Sequence, residues 1–417
     1  MGLKKYHSFV IILLMFLAIL VHSGAAFYVF GILYLPLMDE FGWNRASISI
    51  AMTIYLLTIG FSSPIIGKLT DIIGAKRVIL SGVFIAGLAL FFLGRISSLW
   101  QFYLLYFIMG LGFSGCGFIP ISTVISKWFI KRRGLAIGLT MSGVSVGAFA
   151  ITLISQYFLT ELGWRSTYSF LAIISWVLVI PLNLIFLKNT PQEIGLLPDK
   201  GNSTINNPSY SNNQNEIENA EKEWTLNMTL KNPAFWHIGI AFFLIFLSIG
   251  SVLQHQVNYL LDMGISKMIA ATALGITGGI GGVGKIYFGY LADKKSPRII
   301  CTFSFSLQAL GILILVFTQT MTHVWIFVIV FGFAMGGQIA LQALVVGEFF
   351  GLASYGTILG VISLISATGT ALGPFIAGLL YTLFNTYFWT FLGCVLASLL
   401  ALISILTSKH PMKNESN

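Results

Sequence analysis

Long apolar segments, separated by short polar ones, make up most of the chain. A transmembrane helix needs about 20 mostly apolar residues, because the hydrocarbon core is about 30 Å thick and a helix rises about 1.5 Å per residue. Unbroken runs of this length favour helices over barrel strands, in which apolar and polar residues alternate. The sequence therefore predicts an all-α polytopic membrane protein with twelve spans, numbered in chain order, at about residues 8–36, 46–67, 77–95, 99–125, 134–157, 166–187, 235–261, 268–292, 299–318, 323–347, 355–381 and 386–407.

The composition supports this fold class. Hydrophobic residues make up 56% of the chain and charged residues only 9%, whereas soluble domains carry roughly 25% charge. The first apolar run is too long for the core of a signal peptide, so we interpret it as span 1. Cys116, Cys301 and Cys394 lie in apolar runs without a metal-binding spacing, so we expect no disulfide framework, no metal site and no cofactor.

The basic residues predict the orientation of the chain. With the N-terminus in the cytoplasm, 18 of the 23 lysines and arginines lie on the cytoplasmic side, and the remaining five are Arg45, Arg95, Arg165, Lys267 and Lys285. This asymmetry follows the positive-inside rule. We therefore expect both termini in the cytoplasm, in a bacterial-type plasma (inner) membrane. The net charge of +9 is then expected to meet anionic lipid headgroups rather than nucleic acid.

A polar segment divides the chain. Residues 189–232 are rich in Asn, Ser, Glu and Pro, which is typical of disorder. We interpret this segment as a cytoplasmic linker between two six-helix bundles, residues 1–188 and 233–417.

The two bundles share landmarks at a single offset of 222 positions. Gly67 and Asp71 coincide with Gly289 and Asp293, and the glycines of the start of span 5 coincide with those of span 11, as in the pairs Gly134 with Gly356 and Gly138 with Gly360. Two parallel repeats related by an axis along the membrane normal are one architecture of secondary transporters, with the substrate site between the halves.

One motif identifies a superfamily. GKLTDIIGAKR (67–77) resembles the signature between spans 2 and 3 of the major facilitator superfamily, and GYLADKKSPR (289–298) resembles a weaker copy of it. The resemblance implies the twelve-helix fold of that superfamily and a conformational latch between the halves. Its residues would be Asp71, Lys76, Arg77, Arg132, Arg133 and Asp293. The alternative is an ordinary charged loop at the interface.

Four further segments narrow the resemblance. WFIKRRGLAIGLTMSGVSVG (128–147), MDEFGWNRA (38–46), TPQEIGLLPD (190–199) and EWTLNMTLKNPAFWHIGIAFF (223–243) resemble signatures of the monocarboxylate transporter and oxalate/formate antiporter group. This resemblance implies a transporter of small carboxylates.

Lys285 is the one formal charge in the predicted spans that does not lie at a span end. It lies eight residues before Asp293, or about 12 Å along the helix, where a lysine costs at least about 2.5–3.5 kcal/mol. The resemblance places it where related transporters carry a functional span 8 arginine, but Gly281 occupies the position of their proton-carrying aspartate. Three interpretations stay open: a contact with the substrate anion, an ammonium in a water-filled vestibule, or a neutral lysine that carries a proton.

Other polar side chains in the spans are second candidates for binding substrate. His22 in span 1 would bond to the substrate, carry the coupled proton, or bond to a neighbouring helix carbonyl. Tyr28 follows on the same span and would cap the site or pack as an aromatic anchor. Gln338 and Gln342 are four residues apart in span 10 and therefore share a helix face, directed toward a ligand or another helix.

A polar cluster ends span 7. Gln254, His255, Asn258 and Tyr259 predict an extracellular gate, or a helix end wetted by water. Small residues on spans 4, 5 and 11 predict close helix packing instead; they are Cys116, Ser142, Ser145, Ser363, Ser366 and Thr370.

These observations predict a monomeric secondary transporter of small monocarboxylate anions such as lactate, pyruvate or formate, working by proton symport or by anion exchange. One positive charge suits one negative charge. The alternatives are an efflux transporter for hydrophobic drugs with the same fold and, less favoured, a non-transporting membrane sensor. No catalytic pair or nucleotide loop is recognisable, so we do not expect an enzyme.

Overall fold

The computed structural model describes residues 2–198 and 224–411. Span 1 consists of the helix Gly2–Ser23, the π-helical turn Gly24–Tyr28 and the helix Val29–Phe41. The other spans of the first half are Arg45–Ile73, Ala75–Leu93, the pair Leu99–Gly115 and Phe118–Trp128, and a long segment that holds spans 5 and 6, built from Arg133–Ile174, Ser175–Val179 and Ile180–Phe186.

The second half has six long helices. They are Pro233–Asp262, Lys267–Ala292, Pro297–Val316, Met321–Phe350, Tyr355–Phe384 and Phe388–Thr407, which correspond to spans 7 to 12. Side-chain caps begin several of them, because the first N–H groups of a helix have no partner inside it. Ser266 accepts a bond from the N–H of Ile269 before span 8, and Thr320 accepts one from the N–H of His323 before span 10.

Spans 5 and 6 form a single helical run of 54 residues, so the described residues contain 11 apolar segments long enough to cross a membrane. A straight helix of that length would measure about 80 Å, far more than the bilayer thickness. The run is broken at Gly163, whose φ of 77° and ψ of 173° are not helical. The break separates two membrane-length helices, so the twelve predicted spans are present.

The halves meet along two helix pairs, spans 2 and 11 and spans 5 and 8. Glycine permits both contacts. A Cβ atom on Gly67 would overlap the carbonyl oxygen of Gly356, and one on Gly289 would overlap the carbonyl oxygen of Gly134. The offset of 222 relates these two contacts to each other, so the repeat in the sequence appears as a matched pair of contacts in the structure.

Most of the segment between the halves lies outside the described residues. Within the predicted linker, Pro191–Ile194 forms a 3₁₀ turn and Leu226–Lys231 forms a short helix capped by Thr225. Residues 199–223 are not among those described, so the disorder of the linker and the bounds of the two bundles stay predictions.

Candidate functional site

Lys285 lies at the boundary between the halves. Its side chain is 6% exposed, and its Nζ atom donates a hydrogen bond to the Oγ atom of Ser145 on span 5, at 3.3 Å. Gly138, on the same helix as Ser145, allows this approach because a Cβ atom there would overlap the carbonyl oxygen of Lys285. Span 5 therefore packs directly against the helix that carries the lysine.

No carboxylate accompanies Lys285 in the part of the chain that the structure describes. The one ion pair in that part joins Arg165 to Glu40, with nitrogen and oxygen 2.6 Å apart. Trp164 donates a further bond to the same carboxylate. Lys285 is thus a buried cation held by one neutral hydroxyl group, and a hydroxyl group offsets little of the cost of burying a charge.

His22 and Tyr28 line a cavity of about 330 Å³ formed by spans 1, 2, 4, 5 and 11. The π-helical turn begins at Gly24, two residues after His22, and such turns occur often at functional sites. The remaining walls are largely aliphatic and aromatic. The polar side chains in the lining are His22, Ser23, Tyr28, Tyr55, Ser63, Ser114 and Ser363.

The imidazole ring of His22 is held on one side only. Its Nδ1 atom lies 4.0 Å from the Sγ atom of Cys116, and its ring packs edge-on against Phe113 with centroids 4.5 Å apart. The Nε2 atom has no hydrogen-bond partner among the described residues. The predicted bond to a helix carbonyl is therefore not seen in this conformation, and Nε2 is available to a ligand.

Sequence reasoning did not single out Tyr55, and it assigned Ser363 to helix packing. Tyr55 on span 2 is 2% exposed and lines the cavity, and its hydroxyl group has no hydrogen-bond partner among the described residues. The buried Oγ atom of Ser363 on span 11 also has none. Tyr55 is a polar side chain inside predicted span 2, and the reason for naming His22 would therefore also have identified Tyr55.

Lys285 does not line this cavity, but it is close to its wall. Val144 lines the cavity on span 5, and its neighbour Ser145 accepts the bond from Lys285. On a helix, successive residues point about 100° apart. Span 5 therefore lies between the cavity and the ammonium group in this conformation.

The two glutamines of span 10 are directed into the second half rather than into the cavity. The Nε2 atom of Gln338 donates to Ser304 and to Gln308, both at 3.1 Å. The Nε2 atom of Gln342 donates to Ser366 at 2.7 Å. Both side chains thus join helices of one half, which is the helix-contact alternative, and their contact with substrate stays a prediction.

The predicted gate residues fall on two faces of span 7. Gln254 and Asn258 are exposed. His255 lies 3.1 Å from the carbonyl oxygen of Pro374, through Nε2, and Tyr259 donates to the carbonyl oxygen of Leu315. These bonds hold one face of the cluster inside the second half, and a gating role stays a prediction.

The latch aspartates each cap a helix of the opposite half. The carboxylate of Asp71 accepts bonds from the N–H of Gly356 at 2.9 Å and from the N–H and Oγ1 of Thr357, both at 2.7 Å. The carboxylate of Asp293 accepts bonds from the N–H groups of Gly134 at 2.6 Å and Leu135 at 2.8 Å. A carboxylate at a helix N-terminus is favoured by the helix dipole.

The basic residues of the latch act differently. Lys76 donates to the carbonyl oxygen of Leu184 at 2.7 Å, and the Nε atom of Arg133 donates to the carbonyl oxygen of Phe129 at 3.3 Å. In the described part of the chain, none of Lys76, Arg77 and Arg132 forms an ion pair. In this conformation, the contribution of these three residues to a latch is therefore not an ion pair with another described residue.

The charge of the latch arginines still acts on Asp293. Burial raises the pKa of the Asp293 carboxyl group, and the N–H bonds and the charges of Arg133 and Arg132 oppose that rise. The arginines therefore favour the ionised form of the capping carboxylate from a distance.

Comparison with known proteins agrees with this architecture. The family model described as Major Facilitator Superfamily matches residues 15–368. The chain is 28% identical over 348 residues to monocarboxylate transporter 12 of Mus musculus, covering 78% of this chain and 70% of that protein. It is 24% identical to monocarboxylate transporter 2 of Homo sapiens, covering 87% and 77%. It is 23% identical to the uncharacterized MFS-type transporter YcxA of Bacillus subtilis (strain 168), covering 87% and 85%.

Solved structures show the same fold at low identity. The proton:xylose symporter XylE superposes with a TM-score of 0.73 at 15% identity, covering 97% of this chain and 95% of that one. The fucose:proton symporter FucP of E. coli superposes with a TM-score of 0.70 at 13% identity, covering 95% and 98%.

Proposed function

Because the chain belongs to the major facilitator superfamily, we propose that it is a secondary transporter of small monocarboxylate anions such as lactate, pyruvate or formate. It works by alternating access, in which the two halves rock about a site between them. We place its termini and the latch on the cytoplasmic side of a bacterial-type plasma membrane, and we expect a monomer to carry out transport.

The buried ammonium of Lys285 is the observation on which this proposal depends. It lies between spans 5 and 8, which belong to opposite halves, and its one described partner is the hydroxyl group of Ser145. A substrate carboxylate that reached this boundary would supply the missing countercharge. Because the hydroxyl group of Ser145 is neutral, an anion in its place would add Coulombic attraction to the hydrogen bond.

The relatives support the substrate class. The two named relatives in mouse and human are monocarboxylate transporters by name. At 28% and 24% identity, we carry over to this chain the monocarboxylate class and not a particular acid.

For coupling, we propose either proton symport or anion exchange. His22 is the candidate proton carrier, because it lines the cavity and its Nε2 atom has no hydrogen-bond partner among the described residues. Exchange would need no carrier.

Uptake into liposomes that contain the purified protein tests the proposal. Labelled lactate, pyruvate and formate are offered with and without a pH gradient, and with and without unlabelled acid inside. Uptake that requires the protein and that unlabelled acid inhibits supports a carboxylate transporter. Stimulation by an acidic exterior indicates symport, and stimulation by internal acid indicates exchange.

Two results would contradict the proposal. Uptake of a lipophilic cation in place of every acid would indicate drug efflux, and no protein-dependent flux of any solute would indicate a sensor.

A further inference from the structure

The cavity beside His22 has features that a three-carbon acid does not use. We infer that it receives the part of the substrate remote from the carboxylate, and that the preferred substrate is an aromatic monocarboxylate with a hydroxyl group on its ring. This inference rests on the proposed function and specifies its substrate.

The first feature is size. The cavity of about 330 Å³ has the volume of about ten water molecules in the liquid, and it falls in the range of pockets that enclose whole small ligands. Lactate or pyruvate would occupy a small part of it and leave the rest to water. A six-membered ring with a short acidic side chain would fill much more of the space.

The second feature is the aromatic and aliphatic wall. Phe113 stands between two other aromatic side chains of the lining, with its ring edge-on to His22 at 4.5 Å and to Tyr55 at 6.4 Å between centroids. Phe118 and Ile59 extend the apolar surface. A flat ring packs well against edges and faces arranged in this way, whereas a small polar acid would leave them wet.

The third feature is a pair of polar groups on opposite halves, neither of which has a hydrogen-bond partner among the described residues. The hydroxyl group of Tyr55 comes from span 2, and the Oγ atom of Ser363 comes from span 11; both residues line the cavity. Burying a hydroxyl group without a partner costs free energy, and Ser363 Oγ is buried in this state. A ring hydroxyl on the substrate can donate to one of these groups and accept from the other.

The fourth feature is the placement of charge. The described lining of the cavity contains no charged side chain, while Lys285 lies beyond span 5, bonded to the neighbour of Val144. The neutral cavity therefore suits the uncharged end of an acid. Because span 5 separates the cavity from the ammonium group in this conformation, the carboxylate meets Lys285 only when the rocking of the halves moves span 5.

Uptake of three labelled acids into proteoliposomes tests this inference. The acids are lactate, phenylacetate and 4-hydroxyphenylacetate. The second acid has an aromatic ring that lactate lacks, and the third also has a hydroxyl group on that ring. We expect half-saturating concentrations to fall in that order, by about tenfold or more from the first to the last, because each step buries apolar surface or forms a hydrogen bond.

Matched variants then assign the hydroxyl contact. Tyr55→Phe and Ser363→Ala should each reduce the preference for 4-hydroxyphenylacetate over phenylacetate by about fivefold, the effect of one net hydrogen bond. Tyr103→Phe is the control, because Tyr103 lies in the same half but donates to the carbonyl oxygen of Ser47 and does not line the cavity. Each variant is first shown to be monodisperse.

The outcomes separate this inference from the proposed function. If lactate is taken up as well as or better than both ring acids, or if the preference survives in Tyr55→Phe and Ser363→Ala, the inference is wrong and carboxylate transport stands. If no acid is taken up, the proposed function is wrong as well.

Discussion

The Oδ1 atom of Asp293 accepts a hydrogen bond of 2.6 Å from the N–H of Gly134, in the other half of the chain. The helix of span 5 begins at Arg133, so this N–H belongs to the first turn and has no partner inside its own helix. The equivalent bond in the repeat joins Asp71 to Gly356. Each half therefore caps a helix of the other at the boundary between them.

Replacing Asp293 with asparagine should weaken its cap on the helix of span 5. The amide side chain of Asp293→Asn would keep an acceptor but lose the charge, and bonds to a charged group contribute about 1 kcal/mol more than neutral ones. We expect the amides of Gly134 and Leu135 to exchange hydrogen about fivefold faster, as measured by hydrogen–deuterium exchange of a peptide that covers them. Asp39→Asn serves as the control, because Asp39 is exposed and makes no described bond. Equal exchange in the two variants would argue against the latch.

The glycine contact between spans 5 and 8 gives a second prediction. In Gly289→Ala, the new Cβ atom would overlap the carbonyl oxygen of Gly134, and overpacking typically costs about 1–3 kcal/mol. We expect a lower midpoint of thermal unfolding in detergent and faster exchange at Gly134. Gly275→Ala tests the same change in the same helix, where no atom lies within 4 Å of the added methyl group, and it should leave the midpoint unchanged or slightly raised. An unchanged unfolding midpoint in Gly289→Ala would show that the backbones of spans 5 and 8 do not approach each other as closely as described.

A fixed countercharge gives a third prediction. Ser145 is the hydroxyl partner of Lys285 at 3.3 Å, so Ser145→Asp would place a carboxylate permanently beside the ammonium. A buried ion pair of this kind should remove the need for a substrate anion and lower carboxylate uptake by about tenfold or more, since a pair inside a protein interacts strongly. In Ser145→Asn the new side chain is close in size to aspartate but neutral, so this variant should retain more uptake than Ser145→Asp. Equal uptake by both variants would contradict the proposed role of the ammonium.

The sequence was sufficient for the parts of the fold that depend on local pattern. Apolar runs predicted all twelve spans, because the length of a membrane helix is set by the bilayer. The repeat offset and the motif around Asp71 predicted matched positions in the two halves, and the structure shows matched bonds from Asp71 and Asp293.

The cavity was only partly predictable. His22 stood out because it is a polar side chain in the middle of a span, but the direction in which a side chain points depends on how helices are packed. Gln338 illustrates this limit, since its partner Ser304 lies on another helix of the same half. Ser363 resembled an ordinary packing residue, and only the assembled helices show that its Oγ atom is buried without a partner among the described residues.

The sequence pattern also did not predict that spans 5 and 6 form one helical run with a single break. The residues between the two predicted spans, 158–165, are polar enough to indicate a loop, yet they remain helical apart from the break at Gly163. A glycine is suited to this break because its φ of 77° is unfavourable for residues with a Cβ atom.

Carboxylate uptake by Lys285→Met shows whether the buried ammonium group is the countercharge of the substrate. Methionine has a similar length and no charge, and Lys285→Arg is the control that keeps the charge. With both variants folded in proteoliposomes, we predict that uptake by Lys285→Met falls by about a hundredfold, because a buried charge-assisted contact worth about 3 kcal/mol is removed. Lys285→Arg should retain measurable uptake. If Lys285→Met instead shows the wild-type rate and half-saturating concentration, the ammonium group of Lys285 is not the countercharge of the substrate.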